Sequence, residues 1–380
     1  MPAFLLSCLT YLGVALPGST LGLLWPSMHI SLHEPVGALG IVLAAGMVAS
    51  AVSSTATGRI LRTMPPRPPL AVGAALVSMA LAVEAAAPAF WLIAAGSAGF
   101  GAGCGAIDAA LNVYAAAHFG PRAITWMHAS YGLGATVGPL LVTALLTAGA
   151  GWRATLASMA AVIGAIAVVL AVATHAWNVR PAVSLAAGSA DRASHRPALL
   201  PNVLFTAVET GVESAAGIWG YVFLTSGRGL SPTVAGIVVS AYWAMMFGGR
   251  ILLGPVAQRA GASRVLAIAV AGVPCGALLM TLPLPGGFAV AGMMTLGLAA
   301  APVFPLITLA SGGRPGGDGA SSDGAAATAV GVQVAASAVG GAALPSGVGL
   351  AIGAVGGWAV GPLLLTLGVA MCAVYWAALR

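Results

Sequence analysis

The sequence predicts an all-α membrane protein of twelve transmembrane helices in two six-helix halves, on three observations. First, 14 basic and 8 acidic residues are all the charge that 380 positions carry, against roughly one quarter in a soluble domain. Second, hydrophobic residues make up 59% of the chain and mean hydropathy is +1.01. Apolar runs longer than about 18 residues recur from end to end, so lipid is the solvent for most of the molecule. Third, the longest polar stretch, Trp177 to Leu200, falls at the middle and separates a half at 1–176 from a half at 201–380. At about 20 residues per span, twelve helices take about 240 residues and leave only short connections. A soluble enzyme, a nucleic-acid reader and a secreted disulfide scaffold are excluded, and no loop can hold a separate catalytic domain.

The elements follow in chain order. The first span, 4–27, lacks the basic start and small-residue cleavage site of a signal peptide, so it is expected to be retained; Pro17 interrupts its backbone ladder. The second, 36–58, and third, 69–88, flank a connection with Arg59, Arg62 and Arg67. The fourth, 90–117, carries Gly99, Gly101, Gly103 and Gly105, two overlapping small-xxx-small pairs that let helices approach closely in lipid. Further along it stands Asp108, with Asn112 one turn later on the same face. The fifth, 123–148, holds Trp126, His128 and Pro139, and the sixth, 153–176, leads into the linker. The seventh, 201–226, repeats the one-turn spacing with Glu209 and Glu213, then adds Trp219 and Tyr221. Glu213 lies about 18 Å along the helix from Pro201, near mid-bilayer. The eighth, 231–253, bears Tyr242 and Trp243 and ends on Arg250; the ninth, 264–284, contains Pro274. The tenth, 288–311, contains Pro302 and Pro305, the eleventh, 325–350, Gln333 and Pro345, and the twelfth spans 354–378. The in-span prolines are expected to break helices around a cavity.

The arginines set the orientation. With the N-terminus in the cytoplasm, the inner connections and tail hold Arg59, Arg62, Arg67, Arg122, Arg180, Arg192, Arg196, Arg259, Arg264, Arg314 and Arg380. The outer ones hold only Arg153 and Arg228. Both termini, the linker 177–200 and the Gly-rich loop from Gly312 to Gly324 are therefore expected inside. The net charge of +6 is scattered, not gathered into a nucleic-acid surface. Cys8, Cys104, Cys275 and Cys372 lie far apart in apolar runs, as small packing residues would.

Ionisable side chains deep in a span are costly and point to function. Asp108 with Asn112 presents a carboxylate and an amide together, which also suits a hydrogen bond between packed helices. Glu213 can bind and release a proton during a cycle. For Glu209, a hydrated vestibule or a pairing with Arg250 competes with a transport role, and Arg250 itself can anchor by snorkelling. His128 can join a proton path or pack as a neutral ring. Gln333 is expected to face inward, and Trp219, Tyr221, Tyr242 and Trp243 serve either as interfacial belt residues or as stacking surfaces for a sugar ring. No HExxH, Walker loop, CxxC or nucleophile-elbow serine occurs, so neither an enzyme nor a cofactor is predicted. Without an ATP site, transport would draw on a gradient. One proton crossing 100 mV releases about 2.3 kcal/mol, enough for a ratio of roughly 50-fold.

Several segments resemble the major facilitator superfamily, and within it the fucose–proton symporter and related sugar permeases. They are GAGCGAIDAALNV in span four, MHASYGLGATVGPLL in span five, GVESAAGIWGYVFL in span seven and SAYWAMMFGGRILLGPVAQRAG from span eight. LGLAAAPVFPL in span ten and GVQVAASAVGGAALP in span eleven complete the set, which samples both halves. The resemblance implies that Asp108 is the span-four acid of sugar binding and proton coupling, followed by Asn112, and that Glu213 is the span-seven acid of sugar members. It also matches Arg250 to the arginine ending span eight, with Gly254 and Arg259 in the loop signature. Two features depart from the pattern. Span one lacks the symporter's acid, since Tyr11 to Trp25 contains no Asp or Glu, and the loop GRILRTMPPR has no acid either. GATVGP, Gly134 to Pro139, also resembles part of a drug–proton antiporter signature, but Leu-Leu-Val-Thr replaces the glycine pair that usually follows.

The expectation is a monomeric secondary transporter in a bacterial cytoplasmic membrane, moving a small polar solute, such as a sugar, with protons. Its partners are the solute, protons and the bilayer. Asp108, Glu213 and Glu209 are the candidates for proton coupling, Asn112, His128, Gln333 and Trp219 for solute binding, and Arg250 and Arg259 for gating. A proton-antiport exporter of amphipathic compounds and a non-transporting receptor or scaffold are the alternatives.

Overall fold

A computed structural model describes residues 2–173, 199–311 and 321–379, and every regular element among them is helical. Residues 177–198 of the expected linker lie outside the described residues, as does 312–320 of the Gly-rich loop; the rest of that loop, from Ser321, is already helix. The chain divides into two compact units, Met1–Ser184 and Leu185–Arg380.

The first unit begins with α1 (Pro2–Gly18) and α2 (Leu21–Ser31), two pieces of one expected span that meet at 41°. Pro17 cannot donate to the ladder, and the break falls at that point. The hydroxyls of Ser19 and Thr20 satisfy the carbonyls of Leu16 and Pro17 at 3.3 and 2.9 Å. Trp25, wholly buried, donates Nε1 to Val36 O at 2.8 Å, tying α2 to the short 3-10 turn that leads into α3 (Leu39–Ile60). α4 (Arg67–Ala86), α5 (Phe90–His118), α6 (Pro121–Thr147) and α7 (Trp152–Val172) follow.

The second unit comprises α8 (Leu199–Val222), α9 (Pro232–Ala260), α10 (Ala262–Thr281), α11 (Gly286–Ala300), α12 (Val303–Ser311), α13 (Ser321–Val355) and α14 (Val360–Val374). A single residue, Gly261 at φ +92°, turns the chain from α9 into α10; a side chain there would be strained. α11 and α12 break at Ala301–Pro302. Prolines do not break every helix that contains one: α6, α10 and α13 continue through Pro139, Pro274 and Pro345. The expectation of broken spans holds only at Pro17 and Pro302, because one lost hydrogen bond can be carried by the turns around it.

Among the described residues, ten helices are long and apolar enough to cross a bilayer, eleven if the bent α1–α2 pair is one span. α8 is the remaining expected span; Asn202, Glu209 and Glu213 lower its apolar character.

The two units use one packing scheme. In the first, α1 packs on α6 and α7, α3 on α5, and α4 on α5 and α7. In the second, in the same chain order, α8 packs on α13 and α14, α9 on α11, and α10 on α11 and α14. Close approach of backbones explains the glycines of α5. A Cβ at Gly101 would fall on the Gly46 carbonyl of α3, and one at Gly105 on that of Ser50. Gly99 and Gly103 face the other way, against Ala80 and Val77 of α4. The two small-xxx-small pairs thus serve two different neighbours.

Candidate functional site

Each unit gathers polar side chains at its own site. In the first, α5 carries Asp108 exposed, with Asn112 one turn on. Tyr11, 3% exposed on α1, donates its hydroxyl to Asp108 Oδ1 at 2.7 Å. Asn112 Nδ2 reaches Asp108 Oδ1 at 2.9 Å, the Asp108 carbonyl at 2.9 Å and Tyr11 Oη at 3.0 Å. One carboxylate oxygen therefore accepts from a phenol and an amide, both neutral. Two rings of α6 complete the group. The His128 ring centroid lies 5.4 Å from that of Tyr11, and Tyr131 meets Tyr11 edge-on at 6.0 Å. The structure thus brings Asp108, Asn112 and His128 together, and adds Tyr11 and Tyr131 as their hub and wall.

In the second unit the acids stand on α8. Arg250 of α9, 46% exposed, places Nη2 3.3 and 3.5 Å from the two carboxylate oxygens of Glu213, whose side chain is 15% exposed. This is the only ion pair among the described residues. Tyr242 fixes α9 against α8 at the same level by donating to the Glu213 carbonyl at 2.9 Å, and the Trp243 ring lies over Gly217. These two aromatic residues therefore pack α9 on α8 instead of forming a belt.

Glu209 is 2% exposed and makes no ion pair with Arg250, which Glu213 takes instead; the pairing that the sequence offered for Glu209 is corrected. Its Oε2 accepts from Thr210 at 3.0 Å, and Thr210 Oγ1 lies 2.9 Å from Ser337 Oγ on α13. Gln333, also 2% exposed, sits one turn before Ser337. Trp219 is wholly buried, donates Nε1 to the Pro345 carbonyl at 2.7 Å and packs on Gly349, so it holds the α8–α13 seam in place of the solute-facing position expected of it. Arg259 stands exposed in the last turn of α9.

The sequence model of the Major Facilitator Superfamily matches residues 3–345. The chain belongs to the major facilitator superfamily. It is a multi-pass membrane protein of a transporter family. Among solved structures, a point variant of the nucleoside transporter NupG is similar at 14% identity with a TM-score of 0.79, covering 100% of both chains. A bacterial homologue of the human lysosomal transporter Spinster, inward-facing and occupied, is similar at 14% identity with a TM-score of 0.76 over 99% of this chain and 95% of its own. At that identity the likeness is one of fold. No curated protein sequence matches the chain.

Sequence reasoning about this major facilitator chain missed three features. Tyr11 carried a signal, as a hydroxyl-bearing ring in a span without acids. Thr210 and Ser337 carried little, because hydroxyls satisfy their own helix carbonyls throughout such proteins. Glu84, 6% exposed near the end of α4 where Gly96 of α5 packs on its Cγ, has no polar companion at helical spacing to draw attention to it.

Proposed function

We propose that the chain is a proton-coupled secondary transporter of a small, neutral, polar solute, a sugar or related metabolite, with import favoured and alternating access as its cycle. The observation that carries this reading is Asp108: an exposed carboxylate on a membrane helix whose partners, Tyr11 and Asn112, are neutral, with no cation paired to it among the described residues. Such a charge is costly in a bilayer, and a proton is the simplest group that balances it. The amide oxygen of Asn112 and the second carboxylate oxygen can accept from solute hydroxyls, and the rings of His128 and Tyr131 offer flat faces to a ring. Glu213, held by Arg250, is the second proton and hydroxyl partner, with Glu209 one turn away. A nucleoside carries a sugar ring, so the fold likeness to a nucleoside transporter accords with this solute class. The setting proposed is a bacterial inner membrane, with a monomer whose termini are both cytoplasmic.

Purified protein in vesicles is expected to accumulate its solute when the lumen is made alkaline. Candidates are found by thermal shift with sugars, polyols and nucleosides at two pH values, since binding to the folded state raises apparent stability. If Asp108→Asn and Glu213→Gln both kept gradient-driven accumulation, the assignment would be lost.

A further inference from the structure

Glu209 is the acid of the second unit whose charge this arrangement leaves unbalanced. Its side chain is enclosed at 2% exposure, Oε2 accepts one hydrogen bond from Thr210, and Oε1 has no hydrogen-bond partner. The guanidinium of Arg250 is engaged by Glu213. With both acids ionised, Glu209, Glu213 and Arg250 sum to one negative charge, and a buried carboxylate with a single neutral donor is expensive. Around it the oxygens converge from two helices. Thr210 on α8 and Ser337 on α13 meet hydroxyl to hydroxyl at 2.9 Å, and Gln333 brings a buried amide to the same face of α13. The backbones here are as close as they can be, since a Cβ at Gly340 would fall on the Ala207 carbonyl.

Carboxylate and hydroxyl oxygens, without sulfur or imidazole, make a donor set for a small hard cation and a poor one for zinc or copper. One uncompensated charge matches a monovalent ion better than a divalent one. A proton would neutralise Glu209 through a single oxygen and has no use for the hydroxyl pair across the seam. We propose that Glu209, Thr210 and Ser337 form a binding site for one sodium ion that bridges α8 and α13. As a second coupling ion it rests on the transporter reading above; as a binding site it is tested without transport.

Thermal unfolding of the purified full chain at fixed pH and ionic strength, in sodium chloride against choline chloride, is the measurement. Sodium is expected to raise the midpoint saturably by a few degrees, and Glu209→Gln and Ser337→Ala are each expected to lose that response. Should Glu209→Gln fail to fold, Thr210→Val and Ser337→Ala carry the test. Equal midpoints in sodium and choline would overturn the site, as would a sodium response that survives in Glu209→Gln or a response to pH alone. Asp108→Asn is expected to keep the sodium response even where accumulation is lost, so failure of proton coupling and failure of this site are told apart.

Discussion

In the first unit the acid of the polar group, Asp108, is exposed and hydrogen-bonds to a phenol and an amide, whereas in the second one acid faces a guanidinium and the other is closed off against α13. The helices around these sites pair by one scheme in both units, so the difference is not in the scaffold. It lies in how open each unpaired acid stands: Asp108 is exposed, whereas Glu209, also without a cation, is enclosed. Glu213 has its counter-charge in its own half, and Asp108 has none among the described residues. An exposed acid without a resident cation is the one that an incoming proton reaches most directly, which makes the first unit the sensitive half.

Substitution tests that contrast most directly. Asp108→Asn is expected to abolish accumulation above the external concentration in vesicles with an imposed proton gradient. Arg250→Ala is expected to lower the rate without abolishing accumulation, since it removes one partner of the pair and leaves the Glu213 carboxylate in place. Equal losses from the two variants would remove the asymmetry between the halves.

The common scaffold gives the next largest effect. Gly101→Ala and Gly340→Ala each drive a methyl group into a facing backbone carbonyl, of Gly46 in one unit and Ala207 in the other. Overpacking of that kind costs about 1–3 kcal/mol, read as a lower unfolding midpoint in both variants. Gly248→Ala, with nothing within 4 Å of the added carbon, is the control and should leave the midpoint near that of the parent. A large loss in one half alone would mean that the packing schemes differ in what they bear.

How far the sequence led depends on the kind of interaction. Span positions, the small-residue pairs of α5 and the Asp108–Asn112 pairing follow from hydropathy and helical spacing, which act within a helix or against uniform lipid. The partners across helices do not. That Tyr11 reaches Asp108 is a contact 97 residues apart in the chain, and that Arg250 chooses Glu213 over Glu209 depends on the phase of α9 on α8. Trp219 shows the same limit: its ring type suits stacking on a solute, but the carbonyl of Pro345 stands close enough to take its N–H. Tyr11→Phe probes the most informative of these contacts. It removes one of two donors to Asp108 Oδ1 and leaves Asn112 in place, so about 1.5 kcal/mol is at stake. The expected result is a roughly ten-fold rise in the solute concentration needed for half-maximal transport with folding intact. An unchanged value would make Tyr11 a packing residue only.

The smallest expected effect concerns the two arginines that the sequence places on the outer side against the inside bias. Each has a local reason to be there. Arg153 donates Nη2 to the Ala87 carbonyl at 2.8 Å, at the C-terminus of α4, and stacks 4.0 Å from the Trp152 ring. Arg228 donates to the Met280 carbonyl in the last turn of α10 and lies 5.3 Å from the Phe223 ring. α4 and α10 hold the same place in the two packing schemes, so each half closes the corresponding helix with a cation where free carbonyls and the helix dipole favour one. Replacing either by alanine should cost about 0.5–1 kcal/mol in unfolding measurements. Arg228→Ala should sit at the upper end, because its guanidinium is half-buried and the exposed Arg153 position can be taken over by water. The reverse order would show that stacking on tryptophan, not closure of the helix, is what retains an arginine at these two turns.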